Sequence, residues 1–346
     1  MKKYIINIGL VILIGFVTLW VLFGDSNVIG ILNHFTKLSI KWSIIGFCCI
    51  GAYWGLETII QHTLVGRIYK GNRLWNSFKV VMSGHFFNAI TPFASGGQPM
   101  QAMVMMKQGV PLGTSASVLL SKFIIYQITL TLYSLVVLIL ELSFFAGEVE
   151  GIIYLSLIGF CVNVGVVVVL VMAAFMKERV KKVGFMLINL LHKLHLVRTP
   201  HLSKKKVVKQ VDLFNGNINE MSQNKWLLLK VGLLTIGQLT AYFLIPYAVY
   251  RAFGLVGAEV FVIISAAAFI VMFSSFVPIP GSSGVAEGSF FLLFQLFFPQ
   301  AILPTAILCW RIITFYVPLC VGGVVAILPS QKNRPIKMDV QIGIQS

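Results

Sequence analysis

Charge is what this chain has least of. Only 11% of its 346 residues are Asp, Glu, Lys or Arg, against about a quarter in a soluble domain, so it lacks the polar residues to enclose a water-facing globule. Acid is scarcer still: 11 Asp and Glu stand against 27 Lys and Arg, a formal net charge of +16. The five cysteines, Cys48, Cys49, Cys161, Cys309 and Cys320, all lie in apolar stretches. None has CxxC or histidine-paired spacing, so neither a disulfide framework nor a zinc site is indicated, and no metal, cofactor or catalytic residue is expected. No cleavable leader is expected either. The apolar run Tyr4–Phe23 follows Lys2 and Lys3 and is not closed by a small-residue cleavage site around Gly24–Asn27, so it is expected to stay as a first helix.

What the chain has is apolar length. Hydrophobic residues make up 58% of it, in runs long enough to cross a bilayer, about 20 residues each. The sequence predicts an all-α polytopic membrane protein. Six segments read as full spans: Tyr4–Phe23, Trp42–His62, Ser115–Leu140, Ile152–Met176, Leu227–Tyr250 and Thr305–Leu328. Two more, Phe78–Gln108 and Val260–Phe298, are interrupted by Gly, Pro and Ser. Trp42, Trp54, Trp75 and Trp226 read as interface anchors, and Met100, Met103, Met105 and Met106 as adaptable packing.

The positions of the charges orient these spans. With the N-terminus inside, 22 of the 27 basic residues fall in cytoplasmic segments, and the acidic stretch Glu141–Glu150 falls outside. That is the positive-inside pattern. It argues against nucleic acid as the partner, although a basic surplus alone could suggest it. The pattern closes only if each interrupted stretch enters and leaves on one side, as two re-entrant hairpins of opposite orientation. Residues 177–225 then form a basic cytoplasmic linker, and 329–346 a cytoplasmic tail. Val183, Leu187, Leu190, Leu191 and Leu194 share a helical face in that linker. Such a face suits a helix on an anionic leaflet, or a solvated linker helix.

The interrupted stretches share a layout, which predicts an inverted repeat within one membrane domain, about 42–140 and 227–328. The first contains Asn88-Ala-Ile-Thr-Pro-Phe-Ala-Ser-Gly-Gly-Gln-Pro99, the second Pro278-Ile-Pro-Gly-Ser-Ser-Gly-Val-Ala-Glu-Gly288. A span with one cation follows each: Lys122 stands 30 residues after Pro92, and Arg311 stands 31 after Pro280. Tyr126 and Tyr316 come next. Paired interruptions of this kind mark binding sites in transporters. Unwound backbone inside hydrocarbon must be buried in protein or line a wet cavity, and a half-helix starting there offers free N–H groups and a positive dipole end. Asn88, Thr91, Ser95, Gly96, Gly97 and Gln98 at the first break, and Ser282, Ser283 and Gly284 at the second, are therefore candidates to hold a phosphate. Lys122 and Arg311 are candidate countercharges, with Tyr316 beside them.

A cation within a span costs about 2.5–3.5 kcal/mol on insertion scales, so it needs a partner or a cavity. Glu57 and Glu287 are the candidate acids. They either pair with the cations to lock the bundle or face an ammonium on the ligand. The breaks can also be plain kinks, and His85 either makes a structural hydrogen bond or relays protons.

In the Asn88…Pro99 element, the Pro278–Gly288 element, and Arg311 with Tyr316, the chain resembles the transmembrane flippase domain of the multiple peptide resistance factor, also called the lysylphosphatidylglycerol synthase membrane region. The similarity runs over nearly all of residues 5–328. It departs at Gly281-Ser-Ser-Gly284, where that family often has adjacent glycines. The resemblance implies a multi-pass protein of the bacterial plasma membrane that flips aminoacylated phosphatidylglycerol, lowering the negative charge of the outer leaflet and so resisting cationic antimicrobial peptides. Bifunctional members add a soluble aminoacyltransferase domain. This chain stops at Ser346, about eighteen residues past its last span, so that domain is expected to be missing. An anionic or aminoacylated phospholipid is the expected ligand, and a second copy or a separate synthase subunit the candidate protein partner. Two rival functions stay open: a phosphatidylglycerol lysyltransferase or its membrane part, and a proton-driven transporter of a small anion or a polyprenyl-phosphate lipid.

Overall fold

The structure is a computed structural model and describes residues 33–69, 71–91, 94–148, 152–176, 178, 181–182, 185–186, 189, 200–274 and 284–329. The first expected span, Ser282 and Ser283, the apolar linker face Val183–Leu194 and the tail from residue 330 onward lie outside these. Among the described residues all regular structure is helical. The α-helices are α1 Ile40–Ile68, α2 Leu74–Ala89, α3 Gly97–Lys107, α4 Leu112–Glu148, α5 Ile152–Phe175, α6 Pro200–Gln223, α7 Lys225–Ala252, α8 Val260–Ser274, α9 Val285–Phe294, α10 Leu303–Arg311 and α11 Val317–Ile327, with a π-helical turn Ile312–Tyr316 joining the last two.

Four helical stretches are long and apolar enough to cross a membrane: Ile40–Ile68, Leu112–Glu141, Lys225–Ala252 and Leu303–Ile327. Each covers one expected span. The expected span at 152–176 is the 24-residue helix α5. Within the two interrupted stretches α2 packs on α3, and α8 packs on α9.

The helices pack reciprocally. α1 lies along α7, and each then repeats the other's contacts. α1 touches α2 and α4, as α7 touches α8 and α10. α2 packs on α11, while α8 packs on α4. Small residues make these approaches close, as in membrane helix pairs. A Cβ at Gly322 of α11 would stand 2.7 Å from the Met82 carbonyl oxygen of α2, and one at Gly46 of α1 would stand 3.0 Å from Ile313. The ends are tied as well. The Ser39 N–H donates to the Ala252 carbonyl at 2.8 Å, joining the start of α1 to the end of α7. Buried Lys79 of α2 donates to the Leu328 carbonyl just past α11, where a helix dipole favours a cation.

The π turn has a cause in sequence. Pro318 has no N–H to give to the Thr314 carbonyl, so the ladder cannot run in α register there. The Val317 N–H reaches back five residues to the Ile312 carbonyl, as π-bulges at functional sites do.

Part of the basic linker docks on the bundle. α6 packs along α4 and buries Val211, Ile218 and Met221. The Gly113 N–H donates to Gln210 Oε1 at 2.7 Å, Asn217 donates to Thr114 at 3.1 Å, and Arg67 pairs with Glu220 at 3.3 Å.

Candidate functional site

Two ion clusters are buried among the helices. The first joins three elements. Glu57 of α1 accepts from Lys122 Nζ of α4 at 3.0 Å on Oε1, and bonds His85 Nε2 of α2 at 2.8 Å on Oε2. At 1.5 Å per residue, Glu57 lies about 25 Å from one end of α1 and about 16 Å from the other. Its side chain is 11% exposed, so the carboxylate is almost wholly out of water. The second cluster joins the start of α9 to the end of α10. Arg311 Nε donates to Glu287 Oε1 at 2.6 Å, and the Gly284 N–H donates to Glu287 Oε2 at 2.6 Å. Glu287 thus sits at the third position of α9, where the N-terminal dipole favours an acid, and covers the helix start itself. Gly284 turns the chain into α9 at φ 88°, which only glycine adopts freely. The Arg311 guanidinium lies 5.2 Å from the centroids of both Trp310 and Phe315. Its Nη2 is buried with no hydrogen-bond partner among the described residues.

Beside the first cluster is a cavity of about 180 Å³, lined by Ile50, Tyr53, Trp54, His85, Tyr126, Tyr242, Val271, Thr314 and Pro318. Both halves of the chain wall it. His85 brings the first cluster to its edge. On the other side Tyr242 and Thr314 line it. The buried Trp54 Nε1 has no acceptor. A second cavity of similar volume, between α1, α7, α10 and the π turn, is almost entirely apolar.

The described residues at the first break bond one another. Thr91 Oγ1 donates to the Phe87 carbonyl at 2.6 Å and accepts from the Gly96 N–H at 2.8 Å, so one hydroxyl serves the end of α2 and the entry to α3. Ala94 is held at φ 50°, an unusual conformation for a residue with a Cβ. A Cβ at Gly96 would come within 2.6 Å of Thr91, and one at Gly97 within 2.0 Å of Asn88. Glycine is needed here first because Asn88 and Thr91 lie over it. Ser95 and Gln98 are exposed. Ile90 packs on Phe315, with Tyr316 alongside, so the first break abuts the π turn next to Arg311.

The sequence candidates therefore separate. Glu57, His85 and Lys122 come together, as do Gly284, Glu287 and Arg311; both cations take the acidic partners proposed for them. Neither ion cluster includes Asn88, Thr91, Ser95, Gly96, Gly97 or Gln98. Sequence reasoning did not single out Tyr53, Tyr242 or Thr314 for the site, and took Trp54 for an interface anchor. A signal was available for some of these. Tyr53 stands four residues before Glu57 and Tyr126 four after Lys122, one helical turn away on the same face. Pro318, four residues after Thr314, marks the ladder break.

Two comparisons with known proteins bear on this arrangement. The family described as the lysylphosphatidylglycerol synthase TM region matches residues 6–322. A protein of Archaeoglobus fulgidus described as a UPF0104 membrane protein is 26% identical over 322 residues, covering 86% of this chain and 92% of that protein.

Proposed function

The chain belongs to the lysylphosphatidylglycerol synthase TM region family, and from that premise we propose that it is a phospholipid flippase of the plasma membrane. The lipid is an anionic or aminoacylated phospholipid, lysyl-phosphatidylglycerol being the one the family description suggests. In this reading α2–α3 and α8–α9 are re-entrant hairpins of opposite orientation, and six spans surround them with both termini cytoplasmic. The observation that carries the proposal is the cavity walled by residues from both ends of the chain, with the buried Glu57–His85–Lys122 cluster at its edge. A cavity at a repeat interface can face either side in turn if one half rocks against the other. The reciprocal packing of α2 on α11 and α8 on α4 provides the sliding surfaces. Moving such lipid outward would make the outer leaflet less negative and weaken the attraction of cationic peptides.

The test is reconstitution. Proteoliposomes with lysyl-phosphatidylglycerol in one leaflet are treated with an impermeant amine reagent, comparing the parent protein with Glu57→Gln. The parent is expected to expose lipid amines over time, with the rate at least tenfold lower in the variant. Equal rates in protein-free vesicles would sink the proposal. His85 on Glu57 favours a second reading, transport coupled to protons. That reading requires the rate to follow an imposed pH gradient, and a rate indifferent to the gradient dismisses it.

A further inference from the structure

The second, apolar cavity lies at one end of the α1–α7 pair. Trp42 and Phe47 of α1, Val249 and Ala252 of α7, and Ile312 and Ile313 of the π turn all line it. Phe47 is seven residues into α1, so the cavity reaches about 10 Å inward from the helix ends. Those ends also bound two of the candidate spans, Ile40–Ile68 and Lys225–Ala252, which places the cavity in the hydrocarbon next to the lipid headgroups. Its volume is about 180 Å³, above the roughly 150 Å³ at which an apolar cavity stays dry and takes up benzene. The one hydroxyl in its lining, Ser43 Oγ, already donates to the Ser39 carbonyl at 3.0 Å. Phe47 is 45% exposed, so one wall faces the surrounding lipid. Hydrocarbon is the occupant that this lining matches.

Cations gather at the same end. The Arg251 guanidinium lies over the ring of Trp42, 5.1 Å from its centroid. Exposed Lys41 precedes Trp42 in the chain, and exposed Lys37 precedes Leu38, another residue of the lining. None of these three cations pairs with an acid among the described residues. A guanidinium over an indole face keeps its edge N–H groups free, and that edge matches two oxygens of a phosphate. From the apolar cavity and the unpaired cations beside it we infer a second lipid site: an acyl chain of an anionic phospholipid fills the cavity while its phosphate rests on Arg251, with Lys41 adding to the attraction. A zwitterionic lipid could offer the same chain, so the cations select the occupant. The site is separate from the aromatic cavity and stands whether or not that cavity moves lipid.

The test is photolabelling of the full chain in phosphatidylcholine nanodiscs, a measurement that does not read transport. Trace phosphatidylglycerol or phosphatidylcholine carries the same diazirine on one acyl chain, and labelled residues are mapped by mass spectrometry. Val168 and Val169, exposed on α5, report ordinary contact with bulk lipid. The expected result is labelling of Phe47, Ile312 and Ile313 by the phosphatidylglycerol probe at least tenfold above the phosphatidylcholine probe, with both probes alike at Val168 and Val169. Arg251→Gln and Lys41→Gln should each cut that preference about fivefold, the effect of one basic residue at a lipid surface. Equal labelling of the cavity by the two probes overturns the inference, as does labelling there no stronger than at Val168 and Val169. A disulfide formed in high yield between Phe47→Cys and a cysteine placed within residues 4–23 overturns it too, since the chain's own first apolar run would then be the occupant.

Discussion

Removing the Glu287 carboxylate would leave the Arg311 guanidinium buried with nothing to answer it. Arg311 is 6% exposed and Glu287 5%. Its Nε would join Nη2 in lacking an acceptor, and the Gly284 N–H at the start of α9 would lose the oxygen it now holds at 2.6 Å. Breaking a buried pair by deleting one member costs about 3–5 kcal/mol, because an uncompensated charge remains. Glu287→Gln keeps an oxygen for one of the two donors and loses the charge, so about 1.5–3 kcal/mol is expected, the worth of a charge-assisted hydrogen bond. Arg311→Met made together with Glu287→Gln removes the stranded cation, and such double replacements are often neutral or stabilising. The expected order of stability is parent and double variant together, Glu287→Gln below them, and Glu287→Ala lowest. Reversible denaturant unfolding in micelles measures it, with the double-mutant cycle isolating the pair. Lipid flipping by the double variant is expected to stay lost although the fold recovers. The reasoning fails if Glu287→Ala costs less than about 1 kcal/mol, well short of the penalty for a stranded buried charge. It fails equally if the double variant flips lipid at the parent rate.

Other surfaces make simpler predictions. Gly322→Val pushes a side chain into the Met82 carbonyl of α2, which already lies 2.7 Å from a Cβ there. Overpacking of about 1–3 kcal/mol is expected to show as lower yield and an earlier unfolding midpoint, whereas Gly51→Ala, with nothing within 4 Å of its Cβ, should behave as parent. Gly113→Ala sets a methyl 2.2 Å from the Gln210 backbone oxygen, so α6 must lift from α4, and limited proteolysis within 200–223 is expected to speed up severalfold with the spans left protected.

Much of the architecture was legible because hydrocarbon imposes strict terms. A backbone with no water must satisfy its own hydrogen bonds, so apolar runs of sufficient length had to be helices. The helices α1, α4, α7 and α10–α11 each cover the run that foretold them. The Gly and Pro clusters marked the first break for the same reason, since neither residue continues a helix readily. Lys122 and Arg311 stood out as cations that apolar surroundings penalise, and Glu57 and Glu287 as scarce acids able to answer them. Their 65- and 24-residue separations carry no geometric information, so the choice of partners had to come from packing.

Composition and periodicity by themselves determined the solvent this protein faces, its helical class, the position of the first break and the four charges that needed partners. Only the tertiary structure decided that Thr91 and Asn88 occupy the glycines of the first break, that α6 docks on α4, and that Tyr53, Trp54, Tyr242 and Thr314 meet around one cavity. The division is physical. The cost of burying a charge or an unpaired amide is a property of the single residue and can be read along the chain. Which oxygen relieves it depends on side chains from distant segments meeting within about 3 Å, and that is set only when the helices pack.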